Sequence, residues 1–397
     1  MQKLPIKISL ADSFFDAEEK CGYQVSHESK LLWAVILDLM VEFDRVCKQH
    51  HISYSLDSGS LLGAVRHNGF VPWDNDADII MLRSEYERIC QIAPKAFEKP
   101  YFWQTNDTDP GTMRRHAQLR NSMTTGILKS ETKEGIPCFK FNQGIFLDIF
   151  VLDEVPDDED EMVRFREELE YQITLLLDFK NFYWESGASP WVCVAQKQAY
   201  DQFETIATRY NGTGQKYIAN ITLTPQRKPS SFFSREIFED LTSYKFEGFL
   251  FTGPRDFDTV LRGYYGDWHQ LVIGGDIHGG LIIDTQTPYT AYFDKDGAKG
   301  FSPAEEHPLL QLYQQRDQAW NDLRTLKSES RSKISNLIHE NGTLQNNLIC
   351  KENEICCLQK NNERLNRKVC KKRRMIFILG LLSIILLVIL ILVAIYT

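Results

Sequence analysis

The chain has 397 residues, 43% of them apolar and 12% aromatic, enough for a sizeable folded core and too apolar for a disordered polymer. Its formal charge of −9 is unevenly spread: residues 307–397 hold 14 Lys/Arg against 7 Asp/Glu, which leaves the first 306 with 31 against 47, a net of −16. An acidic body excludes general nucleic-acid binding, which needs a basic surface.

In chain order, the N-terminus MQKLPIKISLADSFFDAEEK has no apolar run long enough for a signal peptide. ESKLLWAVILDLMVEFDRVCKQHH (28–51) has the apolar spacing of a helix. ISYSLD (52–57) reads as a strand, and SGSLLGAVRH as a short helix entered through a tight turn. DADIIML (76–82) reads as a strand, followed by the helix SEYERICQIAPKAF with Ser84 as its cap. YFWQT, HAQLRN and TTGILKS read as short strands, and GIFLDIFVLD (144–153) as a strongly apolar one. EDEMVRFREELEYQITLLLDFKNFYW is a long helix whose acidic first turn suits the helix dipole. SREIFEDLTSYKFEGFLFTGP (234–254) returns to strands, and FDTVLRGYYGDWHQ closes the body with another short helix. There is no internal repeat and no strict strand–helix alternation, so the expectation is an α+β domain over residues 1–284, with 285–306 as a linker.

Beyond the linker, residues 307–374 carry a heptad pattern with Leu323, Leu337, Leu344, Leu358 and Leu365 at d, and Asn341 and Asn362 at a. Asn at a fixes register and favours parallel pairing, so the expectation is a coiled-coil stalk forming a parallel homodimer. Residues 375–396, MIFILGLLSIILLVILILVAIY, are apolar apart from one Gly and one Ser. At 1.5 Å per residue they span roughly 33 Å, enough to cross a bilayer. KKRR directly precedes them, which places the body on the cytoplasmic side of a single C-terminal anchor. Nine cysteines with neither a CxxC pair nor zinc spacing fit that reducing side. The opposite orientation would expose the Asn-x-Thr sequons at Asn211 and Asn220 to glycosylation.

The chemistry is concentrated in DSGSLLGAVRHNGFVPWDNDADIIM (57–81). Along a strand, alternate side chains share a face, so Asp74, Asp76 and Asp78 would line one face while Ala77, Ile79 and Met81 pack into the core. Such a cluster is costly unless cations neutralise it, and magnesium or manganese takes oxygen ligands while leaving positions open for phosphate. Asp148 interrupts the apolar run of residues 144–153 and is the expected partner carboxylate; Asp153 reads as solvated. Ser58-Gly59-Ser60 opens a helix after a strand, where free N–H groups and a missing side chain can cradle phosphate. Together these describe a phosphate cradle facing a two-metal site. Arg66 follows the cradle, and Arg115 and Arg120 in RRHAQLRN could clamp a diphosphate.

These motifs resemble the signatures of the LicD family, relatives of fukutin within the nucleotidyltransferase superfamily, over roughly residues 30–270 and including YYGDW at 264–268. The resemblance implies a polymerase-β-like nucleotidyltransferase fold. It also implies a metal-dependent transfer of phosphocholine, or another phospho-alcohol, from a CDP-activated donor such as CDP-choline to a surface glycan or its lipid-linked precursor. By position, Gly59 and Ser60 match the family's nucleotide turn, Asp76 and Asp78 its metal carboxylates, and Asp148 its later strand carboxylate, with Asp74 an additional acid. Asp76, Asp78 and Asp148 are thus the expected catalytic residues, with Mg2+ or Mn2+ as cofactor. The family commonly has PWDDD where Asn75 stands here. A choline headgroup would want aromatic faces, for which Trp73, Trp103, Tyr264, Tyr265 and Trp268 are available. The competing expectations are transfer of ribitol phosphate or of a nucleotide, and a catalytically inactive body serving as a membrane scaffold.

Overall fold

The computed structural model describes residues 4–293, apart from 110, 134–135, 138–140, 187–189, 223–230 and 275–279, together with scattered helical positions between 318 and 351. The chain divides into two compact units, Met1–Glu306 and His307–Thr397. The expected membrane helix at 375–396 and almost all of the stalk lie outside the described residues, among which no helix is long and apolar enough to cross a membrane.

The first unit is a mixed α+β body. Helix α1 (His27–Gln49) starts at Ser26, whose hydroxyl caps the N–H of Ser29 at 3.1 Å. It is buried without interruption from Leu32 to Met40, so it runs through the core rather than over it. Short strand β1 (Ser55–Leu56) leads into α2 (Ser58–His67), and β2 (Asp78–Leu82) leads into α3 (Arg83–Ala96). Then come β3 (Tyr101–Gln104), β4 (Ala117–Asn121), β5 (Thr125–Leu128) and the long β6 (Ile145–Val155). Helices α4 (Glu159–Ser186) and α5 (Pro190–Ala207) follow, then β7 (Tyr217–Ala219), the hairpin β8 (Leu241–Phe246) and β9 (Phe249–Pro254), α6 (Phe257–Tyr265) and β10 (Leu281–Asp284).

The central sheet runs β1-β2-β6-β4-β3, with β7 added to the far end of β6. Only β2 and β6 are parallel, in the register Asp78↔Asp148, and β4 lies antiparallel to β6 with Gln118 opposite Asp148. Every residue of β6 is buried, which is why it reads as a nearly unbroken apolar run. The three acids within it are each held by partners. Asp148 faces β4. Asp153 takes a two-pronged ion pair from Arg83 at 2.7 Å on each oxygen, and Glu154 accepts N–H bonds from Gly212, Gly214 and Gln215.

Several boundaries differ from expectation. The strand expected over 76–82 begins only at Asp78, so Asp74, whose N–H closes a turn on Val71 O, and Asp76 lie in the irregular segment before it. Pairing sets that limit: the β2–β6 register starts at Asp78↔Asp148, with the Asp148 N–H donating to Ala77 O at 3.1 Å. Ser84 does not cap α3, which starts a residue earlier without a side-chain cap. Asp153 is fully buried rather than solvated. The stretch from 285 stays on the body at least to Tyr289, whose N–H donates to Thr124 O at 2.9 Å, just after β10 pairs with β5.

Candidate active site

Two backbone staples join the start of α2 to the start of β2. The Asp57 N–H donates to Asp78 O at 3.1 Å, and the Asp78 N–H donates to Ser60 Oγ at 2.9 Å. Ser60 is buried, and its hydroxyl oxygen positions Asp78. Ser58 sits in the left-handed region at φ 45°, unusual for a residue with a side chain, and its hydroxyl donates to Asp57 Oδ2 at 3.1 Å. Gly59 is needed for a steric reason, since a Cβ there would collide with the Asp74 carboxylate. The N-terminus of α2, expected to face phosphate, thus already has a carboxylate standing over it, where the helix dipole favours negative charge.

The loop bearing Asp74 and Asp76 is pinned from the core. Trp33 is fully buried, stacks on Phe70 with ring centroids 4.8 Å apart, and donates its Nε1–H to Asp74 O at 2.9 Å. The Asn75 N–H donates to Asp74 Oδ1 at 3.1 Å. The acids then face one another. Burial, followed by the charge of Asp76, holds the Asp74 carboxyl well above the usual range. Asp78 is raised likewise, by burial first and then by Asp76, Asp148, Asp57 and Asp74.

Asp148 behaves in the opposite way. Its Oδ1 is 3.0 Å from His116 Nε2 and accepts from Gln118 Nε2 at 2.6 Å. Burial pushes this carboxyl up, but His116 and Gln118 outweigh it and the net shift is downward. An acid held below its usual range is a poor proton acceptor and a good anionic ligand. Neither His116 nor Gln118 was singled out in the sequence. The available signal was alternation: His116, Gln118 and Arg120 recur at every second position up to and along β4, on the face that meets Asp148.

The expected arginines are placed differently. Arg120 is fully buried beneath the site, donating to Gln104 Oε1, Gly144 O and Gln118 Oε1, so it braces Gln118 and does not reach the surface of the cleft. Arg115 is half-buried, and its Nε–H donates to Thr222 O. Arg66 donates to His67 Nε2 at 2.9 Å and to Trp268 O at 3.0 Å, tying α2 to the segment after α6. Among the candidate aromatics, Trp103 and Trp268 are buried, whereas Tyr265 is 45% exposed. Its phenol is pushed above its usual range by burial and then by the charges of Asp78, Asp57, Asp74 and Asp76, so it lies within reach of their field.

Among the described residues no group of three or more His, Cys, Asp or Glu side chains is placed to hold a metal ion. The donor set nevertheless fits a hard divalent cation: the side chains are carboxylates, and their mutual repulsion is what a cation would relieve.

The LicD/FKTN/FKRP nucleotidyltransferase domain model matches residues 51–136, which take in α2, the acidic loop, β2 and β4. The lipopolysaccharide cholinephosphotransferase LicD of Haemophilus influenzae is 25% identical over 250 residues, covering 60% of this chain and 89% of its own length. Uncharacterized proteins of Rickettsia typhi and Rickettsia prowazekii are 35% and 34% identical over 80 and 78 residues, covering 25% and 28% of their own lengths. The acidic motif, the carboxylate on the paired strand, the domain match and the long alignment converge: residues 51–136 match the LicD/FKTN/FKRP nucleotidyltransferase domain, and the chain is similar to a LicD cholinephosphotransferase over 89% of that protein's length.

Proposed function

We propose that this protein transfers phosphocholine, or a similar phospho-alcohol, from a CDP-activated donor to a hydroxyl of a glycan or lipid-linked glycan precursor. The observation that carries the reading is the pairing of Asp78 directly opposite Asp148 on adjacent parallel strands, with the charges of Asp76, Asp148, Asp57 and Asp74 all acting on the Asp78 carboxyl. The similarity to a named cholinephosphotransferase supports the choice of group transferred.

Asp74, Asp76, Asp78 and Asp148 would hold Mg2+ or Mn2+, which when bound offsets the charge that develops on phosphate oxygens during transfer. The chain's own residues do the rest. Asp148, kept ionised by His116 and Gln118, supplies a fixed negative ligand. The Asp57–Asp78 and Ser60–Asp78 bonds keep the carboxylate of β2 at the mouth of α2, beside Ser58, where Gly59 makes room for the Asp74 carboxylate. Arg114 is the arginine whose charge acts on Asp148, while Arg115 and Arg66 are committed to Thr222 O and Trp268 O. Tyr265 offers an exposed ring to a quaternary ammonium, a contact worth about 0.5–2 kcal/mol. In the reaction the acceptor hydroxyl oxygen bonds to the phosphorus next to the alcohol, the bond to CMP breaks, CMP leaves with the electron pair, and the hydroxyl proton passes to solvent or a carboxylate.

The test is a donor survey with the full chain in detergent. CDP-choline, CDP-ribitol and other CDP-alcohols are supplied with glycan acceptors and Mn2+, and CMP release is followed. The reading expects release from CDP-choline to exceed that from the others, and Tyr265→Leu to raise KM for CDP-choline a few-fold. Preferred release from CDP-ribitol would move the specificity to the competing alcohol. Absence of release from every donor, together with absence of divalent binding, would favour an inactive scaffold.

A further inference from the structure

Two side chains outside the acidic motif decide which oxygen Asp148 presents. The bonds from His116 Nε2, at 3.0 Å, and from Gln118 Nε2, at 2.6 Å, both fall on Oδ1. A carboxylate that serves as a metal ligand only accepts, so in this reading the His116 proton sits on Nε2. Each donor is itself fixed. The His116 ring packs against Phe150 with centroids 4.5 Å apart. Gln118 is buried, and its Oε1 accepts from Arg120, which Gly144 O holds in turn at 2.6 Å. The orientation of Asp148 is therefore set by a chain of bonds running back through β4.

A carboxylate with one oxygen occupied by two donors meets a cation through the other oxygen alone. Mg2+ and Mn2+ accept such one-toothed ligands in octahedral sites, whereas Ca2+ has longer bonds, takes more oxygens and readily uses both oxygens of a carboxylate.

We propose that His116 and Gln118 are positioning residues that hold Asp148 as a one-toothed ligand and so bias the site toward small octahedral cations over calcium. This rests on the reading of Asp148 as a metal ligand. The bonds from His116 and Gln118 also leave Oδ1 little freedom to rotate toward a second metal contact.

Mn2+ and Ca2+ affinities are measured by titration calorimetry on the full chain in detergent, without nucleotide, for wild type, His116→Phe, His116→Gln and Asp148→Asn. The amide of His116→Gln restores a donor near the position of Nε2; the phenyl ring of His116→Phe keeps the packing on Phe150 and removes the donor. The proposal expects His116→Phe to lose about tenfold in Mn2+ affinity. Ca2+ affinity should hold or rise, so the Mn2+/Ca2+ ratio falls, and His116→Gln should recover most of it. Loss of both affinities in equal measure in His116→Phe, or an unchanged ratio, overturns the clamp; general loosening of the fold would produce the first of these. If Asp148→Asn loses Mn2+ binding while His116→Phe keeps the ratio, the clamp fails and the ligand assignment stands. If Asp148→Asn binds Mn2+ as tightly as wild type, the ligand assignment fails and takes the clamp with it.

Discussion

Asp148 and Asp153 sit on one buried strand and interrupt the same apolar run, yet they are held by different partners, His116 and Gln118 against Arg83. Asp148 was legible because an acid inside an apolar strand needs a reason and the DxD motif supplied one. Asp153 was not legible, because its reason is Arg83, distant in sequence and brought across by the pairing of β2 with β6. Arg83→Met would leave Asp153 buried without its partner, and thermal unfolding should show a loss of about 3–5 kcal/mol. The acidic loop should respond in the opposite sense. Asp74 and Asp78 are raised in part by the charge of Asp76, so Asp76→Asn relieves repulsion. The metal-free variant should melt higher than wild type at pH 7, by about 2 °C per kcal/mol relieved in a body of this size, while its Mn2+ affinity falls. His67 gives a pH test. Burial, then Arg66 and Lys20, lowers its pKa from 6.5 to about 4. The folded state prefers neutral imidazole, so the unfolded state binds more protons and stability falls as pH drops. That contribution is fully present above about pH 6.5 and is lost progressively down to about pH 4. The ring is half-buried, so solvent screening limits the effect to about 1 kcal/mol, and His67→Gln should flatten the stability–pH curve over that window.

The elements that build the site were mostly visible as hydrophobic period: α1, α2, β6 and the long α4 fall within a few residues of their expected spans. What the pattern could not locate was the start of β2. Alternation put Asp74, Asp76 and Asp78 on one strand face, whereas only Asp78 is in the strand. The acids are gathered instead by the Trp33 bond to Asp74 O and by the staples between α2 and β2. These are contacts between elements, and no local pattern encodes them. The tight approach of α2 to the following loop gives a further test. A Cβ at Gly63 would press on the Gly69 carbonyl and approach Val71 N at 3.2 Å, both backbone atoms with little room to yield. Helix propensity alone would reward Gly63→Ala by about 1 kcal/mol. Overpacking costs about 1–3 kcal/mol, so the net effect in a thermal melt should be destabilising. Stabilisation would show that the loop gives way.

For the molecule as a whole, composition separated an acidic body from a basic tail, and the described structure keeps those regions as two compact units. The sequons expected to matter in the opposite membrane orientation are engaged inside the fold. Asn211 donates to Asp153 Oδ1 at 2.6 Å, and Asn220 is buried with its Oδ1 accepting from Thr222. The polar network that supports the site, from Asp148 through Gln118 and Arg120 to Gln104, needs β3, β4 and β6 assembled side by side, so it was invisible to any single stretch. The central claim is that the acids at the junction of β2 and β6 carry a divalent-dependent phospho-alcohol transfer. Its most direct test is CMP release from CDP-choline by the full chain in the presence of glycan acceptor, with Mn2+ or with chelator, comparing wild type with Asp78→Asn. The account predicts release that requires Mn2+ and falls at least a hundredfold in the variant, a loss of about 2.7 kcal/mol or more in transition-state stabilisation. Release that persists in chelator, or that Asp78→Asn leaves unchanged, would contradict it.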